Sequence, residues 1–299
     1  MRYKKFVEQL KRKLKKKLEG IYDVLVETYL TDNGVLKDAL SIQPIAGATG
    51  VASVIALRNY YNPFMSDLEF EICVEAIAEN CVEESRILTA YGFKETYVEW
   101  ESVKGIIYPI LLSTESNWFL LESLVSKKIL DLLIVYIIRL RVGGDKYPIA
   151  IKVTEKLFEM WNISLEELHQ TAIENLKKEK VMLIELEELL KASLAGEVPC
   201  EVKELQEGNT YILSNSFRYY GVSKILHTEY LRKICGGKSF YILPSTMHEI
   251  VLIQDSEILD PKSMNEMVQI TEDEVTEEER FQNHAYYYDA QTGEIRSCV

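Results

Sequence analysis

The sequence predicts an α+β fold of two lobes, with mixed or antiparallel sheets covered by helices. Three observations carry that expectation. Short β-rich runs bounded by turn residues recur along the chain, segments of helical periodicity without glycine or proline interrupt them, and 299 residues exceed the usual size of one domain. The expected division is an N-terminal α+β lobe over 1–105 and a C-terminal α+β lobe over 106–299.

Residues 2–18 place Tyr3, Phe6, Val7, Leu10, Leu14 and Leu18 at helical spacing with lysines among them, and Gly20 follows as a stop. This is an amphipathic helix whose apolar stripe has to dock. YDVLVETYL alternates, TDNG turns and VLKDALSI continues extended, so residues 22–43 read as a hairpin. The strand SVIALRNYY follows the glycine-bearing AGATGVA, which lacks the lysine of a Walker loop and reads as a connection. Ser66 and Asp67 are cap residues for a long helix over 66–88, and a shorter helix is expected around 95–104.

GIIYPILLS is the next strand, and DLLIVYIIRLRV and YPIAIKV form a hairpin through Gly143, Gly144 and Asp145. Ser164 and Glu167 have capping-box spacing ahead of the stripe Leu165, Leu168, Ala172, Ile173 and Leu176, which predicts a helix over 164–178. A second helix is expected over 181–194. The remainder reads as strand 210–214, helix 220–234, strands 239–243 and 249–254, helix 261–270, and a short strand around a turn in YYYDAQTGEI.

The net charge of -13 disfavours general affinity for nucleic acid. The charge is divided between the ends: residues 1–20 carry nine Lys/Arg against Glu8 and Glu19, and residues 255–299 carry twelve Asp/Glu against three Lys/Arg. Such ends can meet within one chain or between copies, so a homo-oligomer is compatible with the sequence. The five cysteines are scattered and form no CxxC pair, which points to reduced thiols and away from a disulfide framework or zinc knuckle. The longest apolar run, ILDLLIVYII, is about half a bilayer span and contains Asp131, so it reads as a buried strand. With no secretory leader at the basic N-terminus, a cytoplasmic location is expected.

Chemistry-bearing residues are sparse. His248 and Glu249 stand between two strands in LPSTMHE, but neighbours on an extended chain face opposite ways, and a structural histidine is the ordinary reading. Asn215, Ser216 and Arg218 follow a strand and precede a helix, where capping is the ordinary role and anion binding the alternative. If strands 210–214 and 239–243 are neighbours, Asn215 and Ser245 emerge at one sheet edge. Asn215, Arg218, Ser245, His248 and Glu249 are therefore the candidate ligand pocket. Lys13, Lys15, Lys16 and Lys17 are the candidate partner contact on the basic helix. No catalytic residue, metal or cofactor is expected: histidines lack ligand spacing and there is no GxSxG elbow.

At LPSTMHEIVLIQD, taken with YILSNSFRYYGVSKIL, FEMWNISLEELHQTAIENL and NGVLKDALSI, the chain resembles an uncharacterised bacterial family, domain of unknown function fifty-six eighty-eight. The likeness extends over nearly the full length. Asn33-Gly34, Asp131-Leu132, Trp161, Asn175, Gly221, Pro244-Ser245, His248-Glu249 and Tyr288-Asp289 are among its carriers. The resemblance implies a stand-alone bacterial cytoplasmic protein and assigns no activity.

The leading expectation is a non-enzymatic module that binds a protein or peptide partner through a sheet edge or the basic helix. The alternative is an enzyme or sensor for a small anionic or nucleotide-like ligand at the 215–248 sheet edge. A nucleic-acid accessory role ranks third.

Overall fold

Ser66 opens the longest helix through a full capping box: its hydroxyl accepts from Glu69 N at 3.3 Å while Glu69 Oε2 accepts from Ser66 N at 2.7 Å. The computed structural model describes residues 2–299 apart from 33–34, 46–52, 94–97, 118–122, 143–145, 257–258, 273–274 and 277–278. The turn residues Gly143, Gly144 and Asp145, the AGATGVA connection and Asn33-Gly34 lie outside the described residues. Among those described, nine α-helices and three antiparallel sheets form an α+β fold. Every strand pairing is antiparallel, so the mixed-sheet option is not used.

The first unit comprises α1 (Tyr3–Lys17), β1 (Tyr22–Leu30), β2 (Leu36–Pro44), β3 (Ser53–Ala56) and α2 (Asp67–Ala90). The strands lie in the order β1-β2-β3. The stripe of α1 docks as its spacing requires: Phe6, Leu10 and Leu14 are fully buried with Val24, Leu40 and Ile42 of the sheet and Phe70, Val74 and Ile77 of α2. Lysines on α1 pair inside the chain, Lys13 with Glu71 and Lys17 with Glu75 on α2, and Lys15 with Asp23 at 3.7 Å. Lys16 is exposed.

The second unit begins with α3 (Trp100–Val103), β4 (Ile107–Ser113), α4 (Thr114–Asn117), β5 (Ser126–Ile129), β6 (Leu132–Val142) and β7 (Lys146–Lys152). Long β6 pairs with β4 on one side, and with β5 and then β7 on the other. The ILDLLIVYII run is not one strand. It folds back at Leu130 and Asp131, leaving Ile129 at the end of β5 and Leu132 at the start of β6. Then come α5 (Glu155–Trp161), α6 (Leu165–Lys178), β8 (Val181–Glu185), α7 (Leu186–Ala195), β9 (Thr210–Asn215), a 3-10 segment (Gly221–Leu226), α8 (Thr228–Ile234), β10 (Phe240–Pro244), β11 (Ile250–Gln254), α9 (Pro261–Glu272), β12 (Tyr286–Tyr288) and β13 (Ile295–Ser297).

The six-stranded sheet has the order β13-β12-β10-β11-β9-β8 and shares one core with the four-stranded sheet. Tyr136, Ile138, Leu213, Ile242, Tyr286 and Tyr288 are among its fully buried residues, and Ile87 and Leu88 at the end of α2 join it. A smaller cluster lies under α9 around Tyr241, Met264 and Val268.

Two expectations are corrected here. Residues 181–185 form a strand against β9 where a helix over 181–194 was expected, because a short apolar run satisfies strand and buried helix equally. The helix expected over 220–234 is a 3-10 segment followed by α8, with His227 between them. No helix among the described residues is long and apolar enough to cross a membrane.

Candidate functional site

Strands β9 and β10 are not neighbours; β11 lies between them. Both run antiparallel to β11, hence parallel to each other, so Asn215 and Ser245 still emerge at the same end of the sheet. There Asn215 spends its side chain on its own loop: Oδ1 accepts from Phe217 N at 3.1 Å and Tyr219 N at 3.2 Å, and Nδ2 donates to Tyr219 O at 2.8 Å. The loop carries two left-handed residues, Arg218 (φ 48°) and Tyr220 (φ 51°). Arg218 is exposed, while Ser245, His248 and Glu249 are half-buried.

His248 binds this loop to the next one. Tyr220 N donates to His248 Nδ1 at 3.2 Å, so the proton of the neutral ring sits on Nε2. The imidazole stacks on Tyr219 at 5.5 Å and 17°, and Ser214 Oγ donates to His248 O at 2.7 Å. Burial lowers the His248 pKa against the opposing pull of Glu279 and Asp32.

Closure of the two loops requires glycine at 221. A Cβ there would stand 2.1 Å from Ser214 Oγ and 2.2 Å from His248 O, and the second of these is backbone. Gly221→Ala is expected to lose at least about 2 kcal/mol of stability, as overpacked cores do. Urea unfolding checks this in wild-type and Ser214→Ala backgrounds; because the carbonyl remains, the Ser214 change should not restore the loss.

Two further residues meet here that sequence spacing did not reveal. At the end of the β1–β2 hairpin, Asp32 accepts from the Tyr220 hydroxyl through Oδ2 and pairs with Lys152 through Oδ1. Burial, then the Asp32 charge, pushes the Tyr220 phenol well above its ordinary pKa. The cluster is thus a latch between the first unit and the larger sheet. Its hydrogen-bonding groups are aimed at one another.

Open space lies elsewhere. Two adjoining cavities of about 580 and 530 Å³ share Lys128 and Leu130. Both are lined by residues of β5 or its turn and by residues from the 293–299 segment that holds β13. Among the described residues, each of these strands ends its sheet and is paired on one side only. Together the cavities make a trough, and none of the five sequence-predicted pocket residues lines it.

The larger cavity is lined mainly by residues that carry polar groups. Its centre is Asp131, which accepts from Tyr286 Oη at 2.9 Å and Gln282 Nε2 at 3.0 Å and stands 3.0 Å from His284 Nε2. The other His284 nitrogen lies 3.1 Å from Asn283 Oδ1. The two ring nitrogens are thus flanked by oxygen atoms, Asn283 Oδ1 on one side and the Asp131 carboxylate on the other. Glu115 and Thr114 complete the wall, and the Thr114 hydroxyl is buried without a hydrogen-bond partner.

The smaller cavity is apolar, with Ile129, Leu132, Ile134, Ile173, Leu226 and Ile295 in its lining. His169 enters it and lies 3.0 Å from Tyr136 Oη through Nδ1. Burial first, then Lys127, lowers the His169 pKa, with Glu166 opposing. Leu130, which lines both cavities, holds a left-handed conformation, φ 53°. Among the described residues, no three His, Cys, Asp or Glu are grouped to hold a metal ion.

Sequence comparison supplies the family. The model of the Family of unknown function (DUF5688) matches residues 3–290 of the 299. The chain belongs to DUF5688. No curated protein and no solved structure matches it. Several residues that carry the sequence resemblance to DUF5688 hold elements together: Asp131 as described, Trp161 through Nε1 to Val98 O at 2.7 Å, and Asn175 through Nδ2 to Lys104 O and Ile107 O at 2.7 and 2.9 Å.

Proposed function

We propose that this DUF5688 protein is a non-enzymatic binding module that takes an extended peptide segment of a protein partner in the trough between β5 and β13. The observation that supports it is that two strands whose outer edges are unpaired among the described residues line the same adjoining cavities. An added strand satisfies such edges through its main chain while alternate side chains enter pockets, which is the physics of β-augmentation. The apolar half takes an aliphatic or aromatic side chain, and the half with Asp131 and Glu115 takes a basic or hydrogen-bonding one.

The 215–248 edge supports a small-ligand enzyme or sensor less well, because Asn215 and the accepting nitrogen of His248 are already engaged. The basic helix is likewise a weaker partner contact, since Lys13 and Lys17 pair with α2. Five cysteines left as thiols suit the reducing cytoplasm of a bacterium, where we place it.

Selection of a random peptide library on the full chain tests the reading. A selected peptide should bind Ile173→Trp, in which the apolar half is filled, at least about tenfold more weakly, and bind Lys16→Glu as it binds the wild type. Selected peptides that ignore Ile173→Trp, or a library that yields none, would overturn the proposal.

A further inference from the structure

A third cavity, of about 440 Å³, shares no residue with the trough. It lies where β1, β3 and the following 3-10 turn meet α2 and the 215–220 loop. Three tyrosines from three separate places line it: Tyr29 of β1, Tyr60 of the turn and Tyr219, the residue stacked on His248. Glu84 contributes a carboxylate, and Asn59 and Asn80 contribute amides. Its lining, among the described residues, contains no lysine or arginine.

We propose that this cavity binds a small organic cation bearing a methylated quaternary ammonium group, of the choline type, with the head group among the three tyrosines and Glu84 as its counter-charge. Aromatic rings present a negative face, and several around one space select a large, weakly hydrated cation over a small, strongly hydrated one. The volume falls in the range that encloses a small molecule. A chain of net charge -13 also concentrates cations near its surface.

The state of the side chains fits this ligand. Burial raises the pKa of all three phenols, with Asp32 adding to Tyr29 and Tyr219 and Cys73, Cys81 and Glu84 adding to Tyr60, so the rings stay neutral and keep their hydroxyl protons. Cys81, which also lines the cavity, is pushed up to about 12 by burial and then Glu84, so it remains an unreactive thiol. Ser53 Oγ donates to Glu84 Oε2 and fixes that carboxylate at the wall. A neutral sugar would use the amides and hydroxyls but gain nothing from the carboxylate, and an anion would be repelled by it.

Calorimetric titration of the full chain with choline, tetramethylammonium and 3,3-dimethylbutan-1-ol, the neutral isostere of choline, tests the inference. Both cations should bind, and the isostere at least about tenfold more weakly. Tyr60→Leu should abolish binding, Tyr60→Phe, which keeps the ring, should hold affinity within about threefold, and Glu84→Gln should weaken it about tenfold. Equal affinity for choline and its isostere, or no binding of choline at concentrations up to about 10 mM, would overturn it. Because no side chain is shared with the trough, failure here leaves the peptide reading standing and the reverse also holds.

Discussion

Replacing Glu179 with alanine is expected to destabilise the chain by about 3–5 kcal/mol, the usual consequence of removing one partner of a buried ion pair. Glu179 serves two cations at once, Arg139 Nη2 at 2.6 Å and Lys224 Nζ at 2.7 Å. All three side chains are buried, at 7%, 4% and 0% exposure for Arg139, Glu179 and Lys224. Lys224 also donates to Leu176 O at 3.0 Å, so a cation closes the C-terminal end of α6 where the helix dipole favours one. Arg139 lies 3.5 Å from the centre of the Tyr108 ring.

Without Glu179 both cations lose their counter-charge. Burial already lowers the Lys224 pKa and Glu179 is the main influence raising it, so the lysine sheds its proton more readily in the variant. Lys224→Met leaves one balanced pair, Arg139 with Glu179, and should cost clearly less than Glu179→Ala. Urea midpoints of the two variants at neutral pH check the order. A Glu179→Ala protein within about 1 kcal/mol of wild type would mean that these charges are hydrated and that the triad contributes little.

Stability should also collapse above about pH 10, where phenols of an unfolded chain ionise. Burial raises the phenol pKa of Tyr136, Tyr220 and Tyr286 well above that value, with Glu166, Asp32 and Asp131 respectively adding to it, and Tyr241 is pushed up to about 12 by burial and then Asp255. The folded chain therefore holds more protons than the unfolded one across this window, and the free energy of unfolding falls as pH rises. The contribution is fully present below the unfolded value and is lost as pH climbs through the folded ones. Tyrosinate absorbance and circular dichroism followed together should change in one cooperative step. Independent ionisation near pH 10 with the dichroism intact would contradict the buried placement of these rings.

Local signals were the legible ones. Ser164 and Glu167 announce α6, and the cap forms with Glu167 N 3.1 Å from Ser164 Oγ. Ser66 announces α2 in the same way, and the alternation of residues 22–43 yields a hairpin in register from Tyr22 with Pro44 to Leu30 with Leu36. β5 and α5 passed unnoticed: β5 has four residues and the turn after it lies inside an apolar run that looks continuous. Asn215 and Ser245 do leave the sheet at one end, but as the ends of strands separated by β11 and not of the neighbours that the sequence reading supposes. The trough was not legible, since residues 127–131 and 293–299 belong to the edges of two different sheets and meet only in the tertiary fold. Asp32 and Tyr220, 188 positions apart, lie beyond any spacing argument for the same reason.

Leu130 occupies a backbone posture that glycine adopts freely and that charges an L-residue about 1–2 kcal/mol. Thermodynamic optimisation alone would place glycine or asparagine at such a bend. The isobutyl group standing there instead forms part of the wall of both cavities, and a chain relieved of that tension would fold more firmly while giving up the apolar side chain the two hollows share.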